Sequence, residues 1–200
     1  MPIANEFLAE FEIQAPITRK FLERLPHDKL TWKPHEKSLT AGQLAYHIAF
    51  VPGAIVQFVK NNPAQAPKSF EFPQPATHAE ILKAFDESVE AVRADLPQFS
   101  DAAMRETWSM IAGGREVLAQ PRCEFVRDVM LSHLYQHRGQ FSVYLRLLML
   151  QCRPAGGPAQ TKRRPSCSLK RRWPNLRAGG THVPSLSSCR SVIRHQSYIR

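Results

Sequence analysis

Apolar residues recur at three- and four-residue steps through most of the first 150 positions, with few alternating β-branched runs, and this spacing predicts helices. Four segments carry it. The first runs from about Asn5 to Leu25, with Phe7, Phe11, Phe21, Leu22 and Leu25 inward and a kink or late start expected at Pro16. The second begins at Thr40, where Thr40 and Gln43 have capping-box spacing. Leu44, His47, Val51, Ile55 and Phe58 then share one stripe, Pro52 and Gly53 are candidates for a bend, and the helix should fray before Pro63. A Pro-rich connector, Asn62 to Pro75, leads to Thr77 and Glu80, a second capping-box pair. Behind it Ile81, Phe85, Val89, Val92 and Leu96 predict a third helix ending near Pro97. The fourth should start close to Pro121 and reach about Leu150, with Val126, Met130, His133, His137, Phe141, Tyr144 and Leu148 on its apolar stripe.

Four such helices read as one all-α domain over residues 1–152, a four-helix bundle, and the long connectors predict a topology other than simple up-and-down. The pattern stops after Gln151. Residues 153–200 are rich in Arg, Ser and Pro without sustained apolar periodicity, and are expected to be a disordered basic tail.

Charge follows the same division. The formal net charge of +10 invites a nucleic-acid reading until it is located. Residues 1–152 hold 16 of the 27 Lys and Arg and all 17 Asp and Glu, a net of −1, while the tail holds the other 11 bases and no acid. The first twelve residues carry acids where a secretory signal carries bases. The most apolar segment, Ala45 to Val59, is interrupted by His47, Pro52, Gly53 and Gln57, well short of the roughly 20 apolar residues that span a bilayer. Cys123, Cys152, Cys167 and Cys189 form no CxxC or disulfide-like spacing. A cytoplasmic protein without membrane spans is expected.

Candidate chemistry rests on three histidines. His133 and His137 lie four residues apart, so their rings project from one helix face about one turn apart, as two ligands of one ion must. Both stand on a stripe otherwise apolar, and His47 does the same between Leu44 and Val51. His47 alone is better explained by a buried imidazole hydrogen-bonded to a neighbour, and the HxxxH pair alone is explained equally well either way. Together, with His27, His35 and His78 all in loops or at helix starts, their interior placement favours a metal site. Three His ligands leave coordination positions open, as in catalytic sites; zinc or nickel suits imidazole, and copper would compete on affinity. Gln43, Gln140 and Tyr144 lie near this face and could orient water or substrate, or simply close the end of the bundle. Trp32 and Trp108 are expected to anchor core or loops, Gly113-Gly114 to make a turn, and Cys123 to be structural.

The wording of two helices adds a resemblance. LSHLYQHRGQFSVYLRLL resembles the last helix of the DinB family, with its HxxxH pair, and SLTAGQLAYHIAF, preceded by TWKPHEKS, resembles that family's second helix and approach loop. The likeness covers about residues 1–150. It implies a DinB/YfiT-like four-helix bundle with His47, His133 and His137 as metal ligands, and a homodimer. It also implies a small-molecule substrate, because relatives include metal-dependent transferases that use thiols such as bacillithiol or mycothiol, beside members without an assigned reaction. Three functions stay open: a metal-dependent hydrolase or thiol S-transferase acting on a small electrophile, a non-catalytic metal-binding protein, and nucleic-acid binding through the basic tail. The tail departs from the family pattern. Translation in a wrong reading frame of a GC-rich gene is the leading explanation for it, and a basic arm that binds phosphates is the runner-up.

Overall fold

Capping chemistry sets where the helices begin in the computed structural model, which describes residues 1–69 and 71–151. Helix α1 spans Ile3–Glu23, α2 spans Ala41–Phe58 and α3 spans His78–Asp95. The Thr40 hydroxyl accepts from the Gln43 backbone N–H, and the Gln43 side chain accepts from the Thr40 N–H, the reciprocal box expected from the sequence. At α3 the Thr77 hydroxyl accepts from the Glu80 N–H, but the Glu80 carboxylate takes its second bond from the Ala76 N–H, one residue earlier than a strict box. Helix α1 starts before Pro16 and continues through it, so no late start occurs.

The fourth helical segment has three parts. A short α5, Arg122–Val126, passes into a π-helical stretch, Arg127–Ser132, and then into α6, His133–Gln151. Helices α1 and α2 each pack against α3 and α6, so α1 and α2, consecutive in sequence, lie across the bundle from one another. This matches the expected departure from up-and-down order. The approach of α2 to α3 depends on Gly53: a Cβ there would lie 2.8 Å from Ser88 Cα. The Gly53 N–H instead donates to Ser88 Oγ at 2.7 Å, inside the helix pair.

The all-α expectation needs one correction. Residues between α3 and α5 form a short helix α4, Asp101–Arg105, and two strands, β2 (Thr107–Ala112) and β3 (Arg115–Pro121), while Ala64–Gln65 adds β1. Strand β1 runs parallel to β2, and β2 antiparallel to β3. Gly113 and Gly114 supply the turn with φ of 56° and 77°, a left-handed pair that matches the twist of a two-residue hairpin. Trp108 of β2 is fully buried against Phe125 and Phe58, and its indole N–H donates to Asn61 O at 2.7 Å.

The hairpin ends at a buried cation. Arg122, only 4% exposed, donates to Val59 O at 3.0 Å, to Ala103 O, and to Glu106 at 3.1 Å. It ties the start of the fourth segment to the end of α2. No helix among the described residues is long and apolar enough to cross a membrane. The expectations for the tail, residues 153–200, lie outside the described residues.

Candidate metal centre

An unbroken α-helix could not place both halves of the fourth segment as they are found. Leu134, Phe141, Leu145 and Leu148 share one buried stripe, since they recur at i+3, i+4 and i+7. Val126 lies eight residues before Leu134, which in a pure α-helix puts it roughly 80° off that stripe. Yet Val126 is fully buried and Arg122, one turn earlier, nearly so. The π-helical stretch absorbs one residue, turning the upstream half back by about 100° so that Val126 falls into line. His133 follows at once as the first residue of α6. The two histidines then sit on the flank of the stripe, half-buried, rather than on its centre as the sequence pattern suggested.

His47, in the second turn of α2, faces them. Its Nε2 lies 2.9 Å from His133 Nε2, and one ring nitrogen from each of His47, His133 and His137 can be chosen so that all lie within 4.8 Å of one another. The ring centroids are 5.1 Å apart for His47 and His133, 4.8 Å for His47 and His137, and 4.2 Å for His133 and His137. Four-coordinate zinc holds nitrogens at about 2.0–2.1 Å, so its ligand atoms stand roughly 3.4 Å apart, within the range found here.

Electrostatics suits ligands. Burial, with a smaller contribution from the neighbouring imidazoles, lowers the pKa of His47 to about 4 and of His133 to about 3. Burial also lowers His137, against an opposing hydrogen bond from Gln140. All three are therefore neutral near pH 7, with lone pairs available. Gln140 Oε1 lies 2.8 Å from His137 Nδ1; an N–H donated there leaves the lone pair on Nε2.

The other polar candidates have structural employment. Gln43 completes the α2 cap, and its amide donates to Phe72 O at 2.9 Å. The Tyr144 hydroxyl donates to Leu39 O at 3.1 Å. His78 is the buried, satisfied imidazole, with Nε2 2.9 Å from Leu22 O and its ring stacked on His27. His35 Nδ1 accepts from the Lys37 N–H. The sequence reading missed Phe72, whose ring lies 5.2 Å from that of His47; an aromatic in a Pro-rich connector gave no periodic signal.

Known proteins resemble this chain in sequence or in fold. YrdA of Bacillus subtilis (strain 168), an uncharacterized protein, is 26% identical over 157 residues, covering 78% of this chain and 89% of YrdA. The crystal structure of a DinB-like protein from Bacillus cereus ATCC 10987 is similar in fold, with a TM-score of 0.58 at 20% identity, covering 72% of this chain and 91% of that one. A DinB-like protein from Bacillus subtilis, YjoA, gives a TM-score of 0.54 at 18% identity, covering 72% and 92%. The profile of the DinB superfamily matches residues 10–141, from the middle of α1 past both α6 histidines, and the chain belongs to that superfamily.

Proposed function

We propose that this protein binds one divalent metal ion, zinc or nickel, through His47, His133 and His137, and is a metal-dependent enzyme that joins a low-molecular-weight thiol, or water, to a small electrophilic substrate. The observation that carries this reading is the convergence of three neutral imidazoles from two helices, with Nε2 atoms of His47 and His133 at 2.9 Å. A bound ion would lower the pKa of a coordinated thiol or water and so supply a nucleophile at neutral pH.

The chain's own groups favour a thiol over water. No Asp, Glu or Cys joins the three-histidine cluster among the described residues. A hydrolase needs a group to take the proton of water and to protonate the leaving group. A thiol loses its proton far more readily, and an alkyl halide releases a halide that needs no acid to leave. Gln140 orients His137, and burial keeps the imidazoles unprotonated.

A non-catalytic metal-binding protein is the second reading, and one observation favours it. A cavity of about 560 Å³ lies in the groove between α2 and α3, lined by Tyr46, Phe50, Ala54 and Ala84 among others, and none of the three histidines lines it. Pairing as a homodimer, implied by the family resemblance, belongs to the proposal and is tested by sedimentation of the metal-loaded chain.

The deciding experiment sets glutathione, bacillithiol, mycothiol and water against a few electrophiles, with metal-loaded protein, metal-free protein and His47→Ala. A metal-dependent rate with one thiol is expected. Equal rates in all three samples would favour the binding reading.

A further inference from the structure

Phe72 stands beside His47, one of the three histidines, without a hydrogen-bonding or core role for its ring. The ring centroid is 5.2 Å from that of His47, tilted by 52°, nearly as close as the rings of His133 and His137. The connector that carries it is held at several points. Phe72 O accepts from Gln43 Nε2 at 2.9 Å, Thr40 Oγ1 donates to Gln74 Oε1 at 2.6 Å, and Pro75 is buried. A Cβ on Gly42 would come within 2.8 Å of Leu30 O and of Gln74 Nε2 and 3.2 Å from Pro75 Cγ, so glycine lets both the loop before α2 and the connector lie close to it. Gln43 and His47 are four residues apart on one helix face. The turn of α2 that presents the imidazole thus also fixes the aromatic ring against it.

We propose that Phe72 is a specificity-determining residue: its ring is an apolar wall beside the coordination position that three histidines leave free, and the site selects ligands with a planar, apolar group next to the metal-binding atom. The inference rests on the metal reading given above and deepens it by naming a substrate class, electrophiles or thiols whose reacting atom adjoins an aromatic or similarly flat group. The physical ground is that a phenyl ring offers water no hydrogen bond but offers a second ring an offset or edge contact, commonly about a 3- to 10-fold gain in affinity.

The test uses the full chain loaded with cobalt(II), whose visible absorption reports the ligand set, titrated with imidazole and with 4-phenylimidazole. Wild type should prefer 4-phenylimidazole, and Phe72→Ala should lower that preference about fivefold while leaving cobalt content unchanged. Phe72→Leu, still apolar but not planar, should fall between them. Phe72 lies outside the buried core, so thermal melting of both variants should match wild type. An unchanged preference in Phe72→Ala would overturn the inference with the metal site intact. Absence of a cobalt spectrum in wild type, recorded before any titration, would overturn the metal reading itself and this inference with it.

Discussion

His47 and His133 are 86 positions apart in sequence, yet their Nε2 atoms face each other at 2.9 Å across the α2–α6 interface. Two neutral imidazoles placed so can share one proton or one ion, and the third ring of His137 within the same cluster argues for the ion. Purified protein should therefore contain about one divalent ion per chain, measured by elemental analysis. His133→Ala or His137→Ala should abolish stoichiometric loading. Gln140→Ala, which removes only the partner of His137 Nδ1, should weaken binding by about 10- to 100-fold. Full metal content in both histidine variants would remove the assignment.

Stability of the metal-free protein should fall on acidification. In the unfolded chain each histidine takes its proton near 6.5, whereas in the fold His47 resists down to about 4 and His133 to about 3. Below pH 6.5 the unfolded state thus binds more protons, and stability is lost progressively towards pH 4 and, for His133, pH 3. Urea melts between pH 7.5 and 4.5 would show it. A double His47→Leu, His133→Leu variant should lose most of this slope.

The α2–α3 contact should not accept a methyl group. Gly53→Ala places a Cβ 2.8 Å from Ser88 Cα, which is backbone and cannot swing aside, so a loss of about 1–3 kcal/mol is expected in chemical denaturation. A change below about 0.5 kcal/mol would mean that the helices separate without cost.

Removing one residue from the π-helical stretch, for example Val129, should restore regular α-helix and turn the two halves by about 100° relative to each other. Either Arg122 and Val126 leave the core or the two histidines leave His47. The deletion should lower both the melting temperature and metal content, whereas Val129→Ala, keeping the count, should preserve metal binding.

Deleting residues 153–200 should leave helicity, cooperative melting and metal loading in place, because the amphipathic segments that build the core all precede residue 152 in the sequence. Circular dichroism and metal analysis of residues 1–152 check this.

Much of this was legible in the sequence, and the exceptions have physical causes. Thr40 with Gln43 announced α2 to the residue, because a capping box is a local hydrogen-bond pattern written in side chains. His47, His133 and His137 were legible as a set because polar residues on an apolar stripe stand out against it. The hairpin was not. Its two glycines were read as a turn, but TWSMIA and REVLAQP lack clean alternation, since β3 buries none of its side chains fully and Trp108 alone anchors β2. The π-helical stretch was invisible for a related reason: one extra residue shifts a 3.6-residue pattern by about as much as ordinary sequence noise does.

Arg122 gives the two helices that carry the histidine cluster a common fulcrum. It grips the carbonyl of Val59 at the far end of α2, twelve residues from His47, and itself stands eleven residues before His133. At 1.5 Å per residue the two lever arms are about 18 Å and 16 Å, nearly equal. A splay of a single degree at the fulcrum would move the imidazoles by roughly 0.3 Å, as much as separates a good coordination bond from a poor one. On the metal reading proposed above, the strength of the grip on an ion would be set partly at the opposite end of the bundle. A weakened Arg122, as in Arg122→Lys, should be felt as a faster metal off-rate before it is felt as a lost fold.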